Sequence, residues 1–173
     1  MPYTLDQLNA MTKADFVAVV GPAFEDTPAI AAQVWAQRPF TSVADLHQRM
    51  VAIAQALSAA DKLALIKAHP DLGTRVAMAE ASVAEQSKAG LNTLNAEEYE
   101  LFQRLNLDYK NKFGFPFILA VAGHTKGSIL ENFGQRLRNS TDEEIATALL
   151  EIETIARSRL EAWTQSSSSP SML

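Results

Sequence analysis

TDEEIATALLEIETIARSRLEAW, residues 141–163, is the stretch that decides the fold. At about 100° per residue, Ile145, Leu149, Ile152, Ala156 and Trp163 fall within a narrow arc, which predicts a long amphipathic helix. Arg159 falls in the same arc, whereas Arg157 lies about 120° from its centre. One arginine therefore points toward the interior and its neighbour toward water. A guanidinium keeps its charge, so on an apolar face it needs a partner. The alternative is an arginine that snorkels at the helix end and covers apolar surface with its stem.

The same period runs upstream, in Phe16, Val19 and Val20; Ile30, Val34 and Trp35; Leu46, Met50, Ile53 and Leu57; Tyr99, Phe102, Leu105 and Tyr109; and Ile129, Leu130, Phe133 and Leu137. Helix-start signals punctuate the chain, each followed by an apolar stripe. Thr12 precedes Asp15, Ser42 precedes Asp45, Ser58 precedes Asp61, Asn95 precedes Glu98 and Thr141 precedes Glu144, a capping oxygen three residues before a carboxylate each time. Thr27-Pro28 is a further start. Gly21-Pro22, Pro39, Pro70 and Gly114 are stops. Phe115 to Val121 is an apolar run without a partner strand, so it reads as a buried extended segment or an irregular helix. The expectation is an all-α fold: a single compact bundle of about eight helices with no sheet, spanning residues 1–164. The Ser-rich tail, 165–173, reads as disordered.

A chain of 173 residues fits one domain and can bury a core. Apolar residues make up 47% and charged residues 20%, an ordinary globular composition, and the formal net charge is −5. No basic stripe is present to neutralise phosphates, so no nucleic-acid partner is expected. No apolar run approaches the roughly 18–20 residues of a membrane span. Cysteine is absent, which excludes disulfides and thiol nucleophiles. The N-terminus resembles neither a signal nor a transit peptide, so a cytoplasmic location is expected. The Ser171-Met172-Leu173 ending resembles a peroxisomal signal but lacks its cation. There is no metal-ligand spacing, no glycine-rich phosphate loop and no nucleophile elbow.

Three segments bear on chemistry. His69 stands where Pro70 disfavours further helix, in Ala68-His69-Pro70-Asp71-Leu72-Gly73. It reads either as a C-terminal helix cap or as a general acid or base held on a rigid element. His47 and His124 read as surface. Ser82-Val83-Ala84-Glu85-Gln86 reads as one more capping box, whose helix N-terminus also presents N–H groups to an anion or carbonyl. Phe113-Gly114-Phe115-Pro116-Phe117-Ile118 reads as a helix stop followed by core hydrophobes, or as an apolar wall with exposed backbone groups.

Together these segments resemble the 2-oxo-4-hydroxy-4-carboxy-5-ureidoimidazoline (OHCU) decarboxylase family of urate breakdown. The matching pieces are Phe24-Glu25, Arg38-Pro39-Phe40, His69-Pro70-Asp71-Leu72, Ser82 to Gln86, Phe113 to Phe117, and Ile155-Ala156-Arg157-Ser158-Arg159-Leu160, in the family's order from about Leu8 to about Trp163. Ala29 and Ala122 depart from its pattern, at positions that bear on packing. The resemblance implies an all-helical, cofactor-free decarboxylase that yields (S)-allantoin, often as a homodimer, without metal. It implies His69 as the catalytic residue and Glu85 as its partner. Pro70, Ser82, Val83, Ala84, Gln86, Arg159 and the backbone of Phe117, Ile118, Leu119, Ala120 and Val121 are then substrate contacts.

Such a reaction needs a sink for the electron pair left by CO₂, and a conjugated imidazoline ring supplies one. The protein must orient the carboxylate, exclude water and control protons. Two other readings fit the same residues: an acid–base hydrolase of a ureido compound, and a non-catalytic helical module with a peptide groove.

Overall fold

The computed structural model describes residues 2–73 and 85–164. Local capping chemistry explains most of its helix starts. Thr4, Thr12, Ser42, Ser58, Asn95 and Thr125 each accept a backbone N–H three residues on, opening α1 (Leu5–Ala10), α2 (Lys13–Val20), α4 (Val43–Gln55), α5 (Ala59–Lys67), α6 (Ala96–Phe113) and α7 (Lys126–Arg136). Helix α3 (Ala29–Val34) begins just after Thr27-Pro28. Helix α8 (Thr141–Trp163) is the long helix of the opening stretch. Helical backbone also runs over 85–88, and short 3₁₀ turns cover Gly21–Phe24, Trp35–Gln37 and Leu91–Thr93. Among the described residues there is no β-strand, only an isolated bridge between Tyr3 and Thr164, so the all-α expectation holds. No helix among them is long and apolar enough to cross a membrane.

Two details of α8 differ from the expectation. Its start is capped one residue earlier, by Ser140, which exchanges hydrogen bonds with Glu143. Glu144 is freed from the cap and lies one turn inside, fully buried. The buried stripe runs through Glu144, Ala148, Ile152, Ala156 and Leu160, while Ile145, Leu149 and Trp163 are half-buried. A stripe traced through apolar residues alone is displaced because a carboxylate, Glu144, begins the buried one.

The chain divides into two compact units, Met1–Leu57 with Ile155–Leu173, and Ser58–Thr154. In the first, Arg38-Pro39-Phe40 acts as a fastener. Arg38 donates to the carbonyls of Asn9, Met11 and Trp35 and lies 3.9 Å over the Trp35 ring. Phe40 and Asn9 exchange two hydrogen bonds, and Phe40 stacks on Phe16. In the second unit, α6 and α7 carry the aromatic core: Phe117 stacks on Phe133 at 3.8 Å, and Tyr109 packs among Phe113, Phe115 and Phe117. Gly114, in the left-handed conformation, ends α6 as expected and releases the chain into the Phe115–Val121 run.

Candidate active site

The second unit holds His69, two residues beyond the last helical residue of α5. Its backbone N–H donates to the Ile66 carbonyl, and its Nδ1 lies 3.0 Å from the Leu65 carbonyl oxygen. That carbonyl belongs to the last turn of α5, where intrahelical donors run out. A carbonyl can only accept, so Nδ1 carries the proton and Nε2 bears the lone pair of the neutral ring. His69 is 7% exposed. The cap reading and the acid–base reading are thus compatible: one ring nitrogen closes the helix and fixes the tautomer for the other.

The segment after His69 is fastened from two directions. Asn106 of α6 donates to the Leu72 carbonyl at 2.7 Å, and Lys110 pairs with Asp71 at 2.7 Å. The Gly73 N–H donates to Gln86 Oε1 at 3.0 Å. Gly73 has φ +69°, and a Cβ there would meet Leu94 at 3.0 Å and Phe102 at 3.3 Å, so a side chain at this position would be strained. The bond to Gln86 joins the His69–Gly73 segment to the helical turn that carries Glu85. Gln86 is buried, and Glu85 and Pro70 are half-buried. The readings of Ser82, Val83 and Ala84, including the capping box, fall outside the described residues.

Phe117, Ile118, Leu119 and Val121 are buried and Ala120 half-buried, in a non-helical stretch. Three backbone groups of this stretch are engaged within the protein. The Ile118 carbonyl accepts from Arg136, the Ala120 N–H donates to Glu151 at 2.8 Å, and the Val121 carbonyl accepts from the His124 N–H. Sequence reasoning missed the cluster behind this stretch. Arg136 Nε lies 2.8 Å from Glu144 Oε1, and the Tyr109 hydroxyl donates to the same oxygen at 2.6 Å. Asn139 donates to Glu144 Oε2, and the Arg136 guanidinium sits 4.3 Å over the Phe117 ring. The apolar pattern gave little signal for it, since Glu144 lies about 100° from the centre of the arc.

Burial pushes the Tyr109 phenol well above its usual value, and the hydrogen bond to Glu144 adds to the rise. A group raised in the folded state contributes stability that is complete below its unfolded value, near ~10 for tyrosine, and is lost as pH climbs above it. The thermal midpoint is therefore expected to fall above about pH 10, and Tyr109→Phe is expected to flatten that fall. Equal alkaline slopes in the two proteins would refute the assignment.

In the first unit, the wheel reading of the two arginines holds. Arg157 is exposed and pairs with Glu161, while Arg159 is 4% exposed. Arg159 Nη1 reaches Glu25 at 2.6 Å and the Pro22 carbonyl at 2.9 Å. Two other histidines read as surface are half-buried; His124 Nδ1 lies 2.9 Å from Ser128 Oγ. Among the described residues no group of three or more His, Asp or Glu side chains is arranged to hold a metal ion.

Residues 9–161 match the family described as OHCU decarboxylase. A 2-oxo-4-hydroxy-4-carboxy-5-ureidoimidazoline decarboxylase of Halalkalicoccus jeotgali is 42% identical over 161 residues, 93% of this chain and 92% of that protein. The uric acid degradation bifunctional protein of Bacillus subtilis is 45% identical over 158 residues, 91% of this chain but 32% of that longer protein. Among solved structures, that of an (S)-allantoin synthase superposes with a TM-score of 0.77 at 28% identity, over 96% of this chain and 55% of that one. With a match that takes in nearly all of the fold and both segments around His69 and Glu85, the chain belongs to the OHCU decarboxylases, a family of carboxy-lyases.

Proposed function

We propose that this protein decarboxylates OHCU to (S)-allantoin in urate degradation, with His69 as the general acid or base and Glu85 as its partner. The observation that carries the reading is the buried His69 ring, whose Nδ1 is committed to Leu65, within a chain of this family. The commitment makes Nε2 the ring atom that gives or takes a proton.

The chemistry balances without an external oxidant or reductant. The bond between the ring and the carboxylate breaks, and its electron pair moves into the adjacent C=N unit as CO₂ leaves. The hydroxyl proton departs as a ring carbonyl forms, one proton is delivered to the carbon bearing the ureido group, and the nitrogen of the former C=N takes up another, so that one proton is consumed overall. In this proposal, Nε2 of His69 handles the hydroxyl proton, and delivery from one face sets the product's handedness. Glu85 tunes the ionisation of His69 by its charge. Pro70, Gln86 and the Phe117–Val121 backbone contact the ring, as do Ser82, Val83 and Ala84. Gln86 already gives its carbonyl oxygen to Gly73, so it also fixes the segment that carries His69. Arg159 is proposed to anchor a substrate carbonyl or carboxylate, a role that rests on the resemblance. The homodimer, the cytoplasmic location and the absence of a cofactor belong to the same proposal.

The test supplies freshly generated urate-oxidation intermediate and follows CO₂ release with the optical rotation of the allantoin formed. Faster CO₂ release with accumulation of one enantiomer is expected. Ureido cleavage without CO₂ loss would favour a hydrolase, and rates equal to the spontaneous ones would favour a non-catalytic module. Either result overturns the proposal.

A further inference from the structure

The Phe117–Val121 stretch has no regular ladder to set its course, yet ionic side chains grip it at two points. Arg136 Nη1 donates to the Ile118 carbonyl, and the Ala120 N–H donates to Glu151 Oε2. The two gripped residues are two apart, the spacing at which extended backbone turns its polar groups toward one edge. Both grips lead back to one face of α8, since Glu144 and Glu151 are seven residues apart, about two turns. Glu144 acts through Arg136, whose planar fork reaches the carboxylate with Nε and Ile118 with Nη1. Apolar packing alone would bury this stretch without fixing the rotation of its peptide groups. Among the described residues, the N–H and C=O of Leu119, between the two gripped residues, have no partner within the protein.

We propose that Glu151 and the Arg136–Glu144 pair are positioning residues, which hold the Phe117–Val121 backbone by Ile118 and Ala120 and so set the direction of the peptide groups that read the substrate. The inference rests on the decarboxylase reading for its substrate, and on the geometry alone for the grip. Small displacements of positioning groups cost up to about a hundredfold in rate.

The experiment compares Glu151→Ala with Glu151→Gln, and Arg136→Lys as a second site, in the intact chain with OHCU generated in place. Glu151→Ala is expected to lower kcat/KM about tenfold, chiefly through KM, with the pH profile of the rate unchanged. Glu151→Gln keeps an acceptor for the Ala120 N–H and is expected to recover most of the loss. Amide hydrogen exchange at Ala120, measured without substrate, is expected to quicken at least about tenfold in Glu151→Ala and to stay near wild type in Glu151→Gln. Unchanged exchange in Glu151→Ala overturns the grip, whatever the activity. Quickened exchange with unchanged kcat/KM, or an equal loss in Gln and Ala, overturns the positioning role. A wild-type protein that leaves CO₂ release at the spontaneous rate defeats the decarboxylase reading, and with it the substrate role; the exchange data then still decide the grip.

Discussion

His69→Asn is expected to lower kcat by roughly a hundredfold or more, the scale set by general acid–base catalysis. The choice of asparagine separates two roles of one side chain. A carboxamide N–H can still donate to the Leu65 carbonyl, so the end of α5 stays capped. No group that titrates near neutrality remains to occupy the position of Nε2. His69→Ala removes both functions and is expected to lose a further ~1 kcal/mol of stability, the ordinary worth of a hydrogen bond. Steady-state CO₂ release from OHCU, read beside thermal melts of both variants, makes the distinction. Near-normal turnover in His69→Asn would remove His69 from the chemistry and leave it as a cap.

Glu144→Leu is expected to have the largest effect on stability, a loss of about 3–5 kcal/mol. The Arg136 guanidinium would remain buried without its carboxylate, and Tyr109 and Asn139 would each lose an acceptor. In a chain of this length that corresponds to a fall of roughly 10 °C in thermal midpoint. Glu144→Gln preserves acceptors for Tyr109 and Asn139 and is expected to cost less. The double variant Arg136→Leu with Glu144→Leu is expected to regain part of the loss, because no unpaired charge stays inside. The exposed Arg157–Glu161 pair supplies the contrast, since exposed pairs contribute about 0–1 kcal/mol. Denaturant melts of the four variants measure these differences. A Glu144→Leu loss no larger than that of Glu161→Leu would show that the buried pair has no special weight.

The two buried arginines illustrate what a linear pattern reveals. Arg159 was legible as inward because its neighbours in the arc are apolar. Arg136 closes α7 seven residues after Ile129 and three after Phe133, a spacing that matches the buried side, but nothing local names Glu144 as its partner. Glu144 was misassigned for a related reason. Three residues after Thr141 it has the spacing of a capping carboxylate, but Ser140 and Glu143 take that role. Position in a capping motif is a local property, whereas the burial of a carboxylate depends on Arg136 and Tyr109 arriving from other helices.

From the sequence alone came the all-helical class, most helix starts and stops, the inward turn of Arg159 and the end of a helix near His69. Each follows from interactions spanning three or four residues, or from the period of one helix, which are present in the order of the residues itself. Only the tertiary structure decided that Glu25, 134 residues away, is the partner of Arg159, that Gln86 fastens Gly73, and that α7 and α8 grip the Phe117–Val121 backbone. A buried charge or an unladdered backbone group must find a partner, but physics fixes only the need. Which residue meets it depends on how distant helices pack, and no local pattern encodes that.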